Sequence, residues 1–282
     1  MESISAFDTY YDLLSSLKNI SPITLLSIFF LTMARIVPII LIAPFFGAKT
    51  IPASIRIMFS ISILAILFPQ VIFSTTKEIP LNIFFTAYFL KEIFIGFILG
   101  LLVSIPFFVA QSAGGLTDHM RGAQSLMVSD PTTLGKTGPI GIFYNYVLIV
   151  IFFSIGGPFF FIEGIGKSFV LIPVDKFFNP NFFRIQMPLW QLLIGIFNYT
   201  LAMAIQLAAP AIIGVLMAEM FLGIANRLAP QVQIVFLGVS LKSWVGLALL
   251  TAAWYFIMQQ LSKEAITWLN IVEKTIQQSA KF

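Results

Sequence analysis

The sequence predicts an all-α, polytopic membrane-type protein of kinked or broken helices and helical hairpins, and three observations carry that expectation. Of 282 residues, 59% are hydrophobic and 10% charged, against roughly 45–50% and roughly 25% in an ordinary soluble domain. Long apolar tracts follow one another at 23–48, 51–75, 81–111, 140–173, 188–223 and 231–257, each longer than the ~20 residues that cross a bilayer core. Finally, most tracts are interrupted near their middles: Arg35 precedes Pro38 and Pro44, Pro106 lies within Ile93–Thr117, Gly156-Gly157-Pro158 splits the fourth tract and Pro210 the fifth. Proline inside a helix deletes one backbone hydrogen bond and crowds the preceding turn, so each site predicts a kink or a break. Backbone freed at that depth must be paired within protein or beside water, because lipid offers no partner.

Composition also excludes function classes. The chain has no cysteine and a single histidine, His119, so thiolate metal sites, disulfides and multi-histidine centres are not expected, nor is any cofactor. The net charge of +4 is spread along the chain without a basic block, which argues against nucleic acid and suits contact with membrane lipid. Basic residues stand at nearly every connection, including Lys49, Arg56, Arg121, Lys136, Lys167, Lys176 and Arg184, so the positive-inside rule assigns no orientation.

Residues 1–22 form an amphipathic N-terminal segment. Ile4, Phe7, Tyr11 and Leu14 recur at helical spacing between charges, fitting a helix on an interface, on a partner or packed on its own bundle; no signal peptide is read there. Residues 23–257 form the membrane domain. Its first tract holds fifteen Leu, Ile, Val or Phe between Ile23 and Phe46, worth roughly −0.3 to −0.6 kcal/mol each against roughly +2.5 to +3.5 for a central arginine. Insertion therefore wins, while Arg35 either snorkels from a helix end or seeks a carboxylate, carbonyls or water. Residues 258–282 predict an amphipathic tail outside the hydrocarbon, with Leu261, Ala265, Trp268, Leu269, Val272 and Ile276 on one face.

The polar centre is 111–141, a glycine-rich loop between two apolar tracts. Gly114, Gly115, Gly122, Gly135, Gly138 and Gly141 permit unusual backbone, and Asp130-Pro131 initiates a turn. Asp118 and Arg121, three apart, would pair across one helical turn. Met120 and Met127 add adaptable apolar bulk. The loop could be an acid–base site using Asp118 and His119, a plain solvated loop, or a plug in a conduit; the plug accounts for glycines, methionines and paired charge together. A second cluster spans 218–246. Glu219, Arg227 and Lys242 are isolated charges in apolar surroundings, and Arg227-Leu228-Ala229-Pro230 predicts a turn closing a helical hairpin within 188–257. Glu219 would face Arg227 or Lys242, either as an internal ion pair or at a subunit interface. Gly96-x-x-x-Gly100 is a small-residue packing motif of low specificity.

These residues resemble a known family. Asp118-x-x-Arg121-Gly122 with Asp130-Pro131, Glu219-x-Phe221-Leu222-Gly223, Arg227-x-Ala229-Pro230-Gln231, Lys242-Ser243, and Arg35-x-x-Pro38 with Pro44-Phe45 look like the T component of the type III secretion export gate, the FliR/SpaR-like proteins, and closer to the injectisome branch. The resemblance covers about 25 to 255. It implies a non-enzymatic subunit of a bacterial inner-membrane channel, built with P- and Q-type small membrane subunits, touching the U-type switch protein and passing unfolded secreted substrates. It further implies kinked hairpins, a complex partly raised from the bilayer plane, and a loop of this subunit that helps close the pore. A secondary transporter, which also uses broken helices and buried charges, and an intramembrane enzyme are the rivals.

Overall fold

A computed structural model describes residues 21–47, 51–75, 77–123, 128–129, 136–177, 188–228 and 234–279. Among them are eight α-helices, and the all-α expectation holds. Helix α1 (Pro22–Ile42) opens on Ser21, whose hydroxyl accepts from the Thr24 amide at 3.3 Å, with Pro22 in the first turn where no amide is needed. A single 3₁₀ turn, Pro44–Phe46, ends on Gly47 at φ 54°. Helix α2 (Ala53–Ser74) follows, then the central helix α3 (Ile83–Met120), capped by Asn82, which accepts from Phe84 N at 3.0 Å.

Two short strands, β1 (Val128–Ser129) and β2 (Lys136–Thr137), pair antiparallel, Val128 opposite Thr137 and Ser129 opposite Lys136. Helices α4 (Pro139–Ser154) and α5 (Gly157–Leu171) meet at 76° around Gly156, whose φ of 76° lies in the left-handed region. The long helix α6 (Pro188–Leu228) and α7 (Ile234–Ala252) form the C-terminal hairpin, and α8 (Trp254–Ser279) leaves α7 at 63°. Four of these helices are long and apolar enough to cross a membrane, or six spans result if each bent pair counts as one.

Helix α3 is the spine, packing against α1, α4, α6 and α8. Its contact with α1 depends on small residues. A Cβ on Gly96 would lie 2.3 Å from the Arg35 carbonyl oxygen, and one on Gly100 3.1 Å from the Ile39 Cα, so the pair of glycines lets two backbones touch. The same device recurs in the hairpin, where a Cβ on Gly214 would lie 1.8 Å from Leu249 Cδ1.

The prolines behave differently from the glycine break. Helices continue through Pro38, Pro106 and Pro210, and the sharp bends fall instead at Gly156 and next to Ala253. Continuity at Pro106 has a visible cause. Proline has no amide to give the Leu102 carbonyl, and the Trp268 indole N–H of α8 donates to that oxygen at 2.9 Å. Helix α8 is thereby fastened to the core, with Leu261, Ala265 and Trp268 buried, Trp268 stacked on Tyr199 at 5.4 Å, and the Tyr199 hydroxyl donating to Glu264. Trp268→Phe should cost about 1–3 kcal/mol by stranding a buried carbonyl, and the cost should shrink in a Pro106→Ala background, which restores a backbone donor. Thermal unfolding of the four detergent-solubilised proteins checks this; equal losses in both backgrounds would contradict it.

Candidate functional site

The predicted glycine-rich loop is shorter than its sequence suggested. Helix α3 runs on to Met120, so Gln111–Met120 is helical and the connection to α4 begins at Arg121. Gly114 and Gly115 therefore serve contact, not bending. A Cβ on Gly114 would lie 2.6 Å from the Gly141 backbone, and one on Gly141 2.3 Å from the Thr137 hydroxyl, so the end of α3 and the start of α4 are pressed together at two glycines. Sequence alone could not separate a glycine that bends from one that admits a neighbour.

Asp118 ties the two ends of this connection. Its carboxylate is fully buried; one oxygen accepts from Arg121 Nε at 2.9 Å and Nη2 at 2.6 Å, the other from the amides of Ile140 at 2.9 Å and Gly141 at 3.3 Å. Those amides belong to the first turn of α4, whose own N-cap residue, Gly138, has no side chain to satisfy them. The cap comes from another helix, and a Cβ at Gly138 would stand 2.1 Å from the Asp118 oxygen. Thus the predicted Asp118–Arg121 pair exists, and its carboxylate also supplies the missing cap of α4, favoured there by the positive end of the helix dipole. Arg121 in turn packs beneath the hairpin, its Cβ 3.4 Å from where a Cβ on Gly246 would lie. Gly122 closes α3 at φ 84°, and half-buried Met120 stands just before it. Met127, Asp130, Pro131 and Gly135 lie outside the described residues. Beside this junction runs an open groove of about 410 Å³, lined by Gln111, His119, Lys136 and Thr137 and by Thr200 and Leu201 of α6.

The charges of the hairpin resolve one open choice. Glu219 accepts from Lys242 Nζ at 2.6 Å, while Arg227 is exposed in the last turn of α6, where a cation suits the helix dipole. Pro230 lies outside the described residues. The Glu219–Lys242 pair is itself partly exposed, and near it along the two helices Met217, Met220, Phe221 and Trp244 are exposed as well.

Arg35 does not snorkel. It is fully buried and forms a fork to Glu92, Nε to Oε2 at 2.5 Å and Nη2 to Oε1 at 2.9 Å, while donating to the carbonyls of Ser168 at 2.8 Å and Ile172 at 2.7 Å; its guanidinium carbon lies 4.1 Å from the centre of the Phe169 ring. Lys91 joins it, 2.7 Å from Glu92 Oε1 and donating to the carbonyls of Pro173, Val174 and Lys176. This buried knot binds α1, α3 and the strap 172–176 that follows α5. Sequence reading left Arg35 open between snorkelling and a carboxylate, carbonyls or water; the Lys91-Glu92 dipeptide inside the third apolar tract was the available signal for the carboxylate.

Comparison with known proteins adds the family context. Residues 26–266 match the family model described as bacterial export proteins, family 1. The chain is 30% identical to the surface presentation of antigens protein SpaR of Shigella flexneri over 215 residues, 76% of this chain and 79% of that protein. It is 31% identical to the Yop proteins translocation protein T of Yersinia pestis over 65% of this chain and 67% of that protein. To the flagellar biosynthetic protein FliR of Bacillus subtilis the identity is 29%, over 82% of this chain and 87% of that one.

Proposed function

The chain belongs to the bacterial export proteins, family 1, and we propose that it is a subunit of the type III secretion export gate, part of the inner-membrane channel through which unfolded proteins leave the cell. The observation that carries this reading is the family match, which runs from α1 into α8 and takes in the Asp118 junction, the buried knot and the hairpin. The role is steric and electrostatic, and non-enzymatic. The connection between α3 and α4 acts as the plug, and the Asp118 carboxylate, bonded to Arg121 and to the Ile140 and Gly141 amides, ties together the helix ends that carry it. Its partners are the P- and Q-type membrane subunits, the U-type switch protein, membrane lipid and, in passage, the secreted chains.

The hairpin supplies a surface for those subunits. An ion pair such as Glu219–Lys242 is poorly solvated by hydrocarbon, and its exposed greasy surround suits burial against another polypeptide. Purification of the full chain from its native membranes in mild detergent should bring small membrane subunits with it. Glu219→Gln and Lys242→Met should each lower that co-purification and shift the complex on native gels. A chain that purifies alone would contradict the gate; intact complexes with both variants would contradict the role of the hairpin while leaving the gate standing.

A further inference from the structure

A second cavity has no part in the gate mechanism. It holds about 310 Å³ and lies among α1, α3, α4, α5 and α8, beside Pro106. Its depth is formed by side chains that are otherwise buried, among them Phe107, Leu148 and Trp268, and its lips by Phe160 and Ile266, which are 51% and 48% exposed. The volume is about twice that of a ~150 Å³ apolar cavity that stays dry and takes up benzene. Water gains little there, since Phe107 and Leu148 are apolar and the indole N–H of Trp268 is already given to the Leu102 carbonyl. Of the helices around it, α1 and α3 are each long and apolar enough to cross a membrane, and α5 and α8, which carry the lips, each belong to a bent pair that passes that test together, which suits lips that open toward acyl chains.

Among the described residues, the charged members of the lining sit together on α5. Glu163 and Lys167 are one turn apart, 2.9 Å from each other and both partly exposed. They present an anion and a cation side by side at the edge of an apolar hole. We propose that this cavity is a site for one amine-bearing zwitterionic glycerophospholipid of the phosphatidylethanolamine type. One acyl chain fills the cavity, Lys167 meets the phosphate, and Glu163 accepts from the primary ammonium. The geometry matches the order of a lipid: hydrocarbon inside, phosphate and amine at the mouth. This site is independent of the plug.

Gly164 provides a clean probe, because an added Cβ there meets nothing within 4 Å. The full chain, in the complex it forms, is reconstituted in vesicles of phosphatidylethanolamine and phosphatidylglycerol containing a trace of phosphatidylethanolamine with a photoreactive acyl chain. Labelled peptides are identified by mass spectrometry. In the native protein the label falls on peptides holding Pro106–Phe107 and Phe160–Gly164, and native mass spectrometry finds retained phosphatidylethanolamine. Gly164→Leu, with Ile266→Trp as a second way to fill the mouth, lowers that labelling by about tenfold without changing the melting temperature. Glu163→Gln abolishes the preference over a photoreactive phosphatidylglycerol probe, and Lys167→Gln weakens both. Equal labelling in the filled variants overturns the proposal. So does equal labelling of the native protein by both headgroups.

Discussion

Asp118→Ala is expected to destabilise the protein by about 3–5 kcal/mol, the range for breaking a buried ion pair by removing one partner. The substitution leaves the guanidinium of Arg121, 8% exposed, without its carboxylate, and the Ile140 and Gly141 amides without an acceptor. Asp118→Asn should fall between the variant and the native protein, because an amide oxygen can still cap α4 but cannot neutralise Arg121. Limited trypsin digestion gives a local readout. Lys136 is exposed and Arg121 buried in the native protein, so cleavage at Lys136 is expected throughout, while cleavage after Arg121 should appear only when Asp118 is lost. An Asp118→Ala protein that resists cutting at Arg121 and melts normally would show that the carboxylate does not hold the junction.

Glu92→Gln should be as damaging, and for a similar reason. Glu92 faces two buried cations, Arg35 and Lys91, and without its charge both stand uncompensated, a loss of about 3–5 kcal/mol. Arg35→Met should cost less, since Glu92 keeps Lys91 as its counter-ion. The double variant should cost less than the two added together, with a coupling of about 0.5–3 kcal/mol as expected for directly paired groups. Denaturation of the solubilised variants, or their steady-state amounts in membranes, gives the order. A larger loss for Arg35→Met than for Glu92→Gln would move the weight of the knot from the ion pairs to the carbonyls of Ser168 and Ile172.

The parts of the fold that were legible from sequence are those set by local chemistry. Long apolar tracts gave the helices, Gly156-Gly157-Pro158 gave the bend between α4 and α5, and three-residue spacing gave the Asp118–Arg121 pair. The illegible parts depend on what another segment brings. Pro106 read as a kink or a break, and the helix runs on through it, because nothing near it in the chain shows that Trp268, far along the sequence, donates to Leu102. Gly114 read as loop because the approach of Gly141 is a property of the folded pair. Gly138 is a bare helix start until Asp118 is placed against it. Arg35 found Glu92 through the crossing of α1 and α3, which Gly96 and Gly100 permit and their spacing hinted at. The family resemblance, carried by short motifs and placed at about 25 to 255, anticipated the family, whose model extends somewhat further, over 26–266.

Conductance of the purified, assembled gate across a planar bilayer tests the central proposal most directly, with the native protein compared against Asp118→Ala and against deletion of residues 122–133. A plug anchored at Asp118 predicts a closed native gate at rest, intermittent openings with Asp118→Ala, and a standing leak of ions or small solutes after the deletion. Complexes of normal size on native gels that stay sealed after the deletion would contradict it.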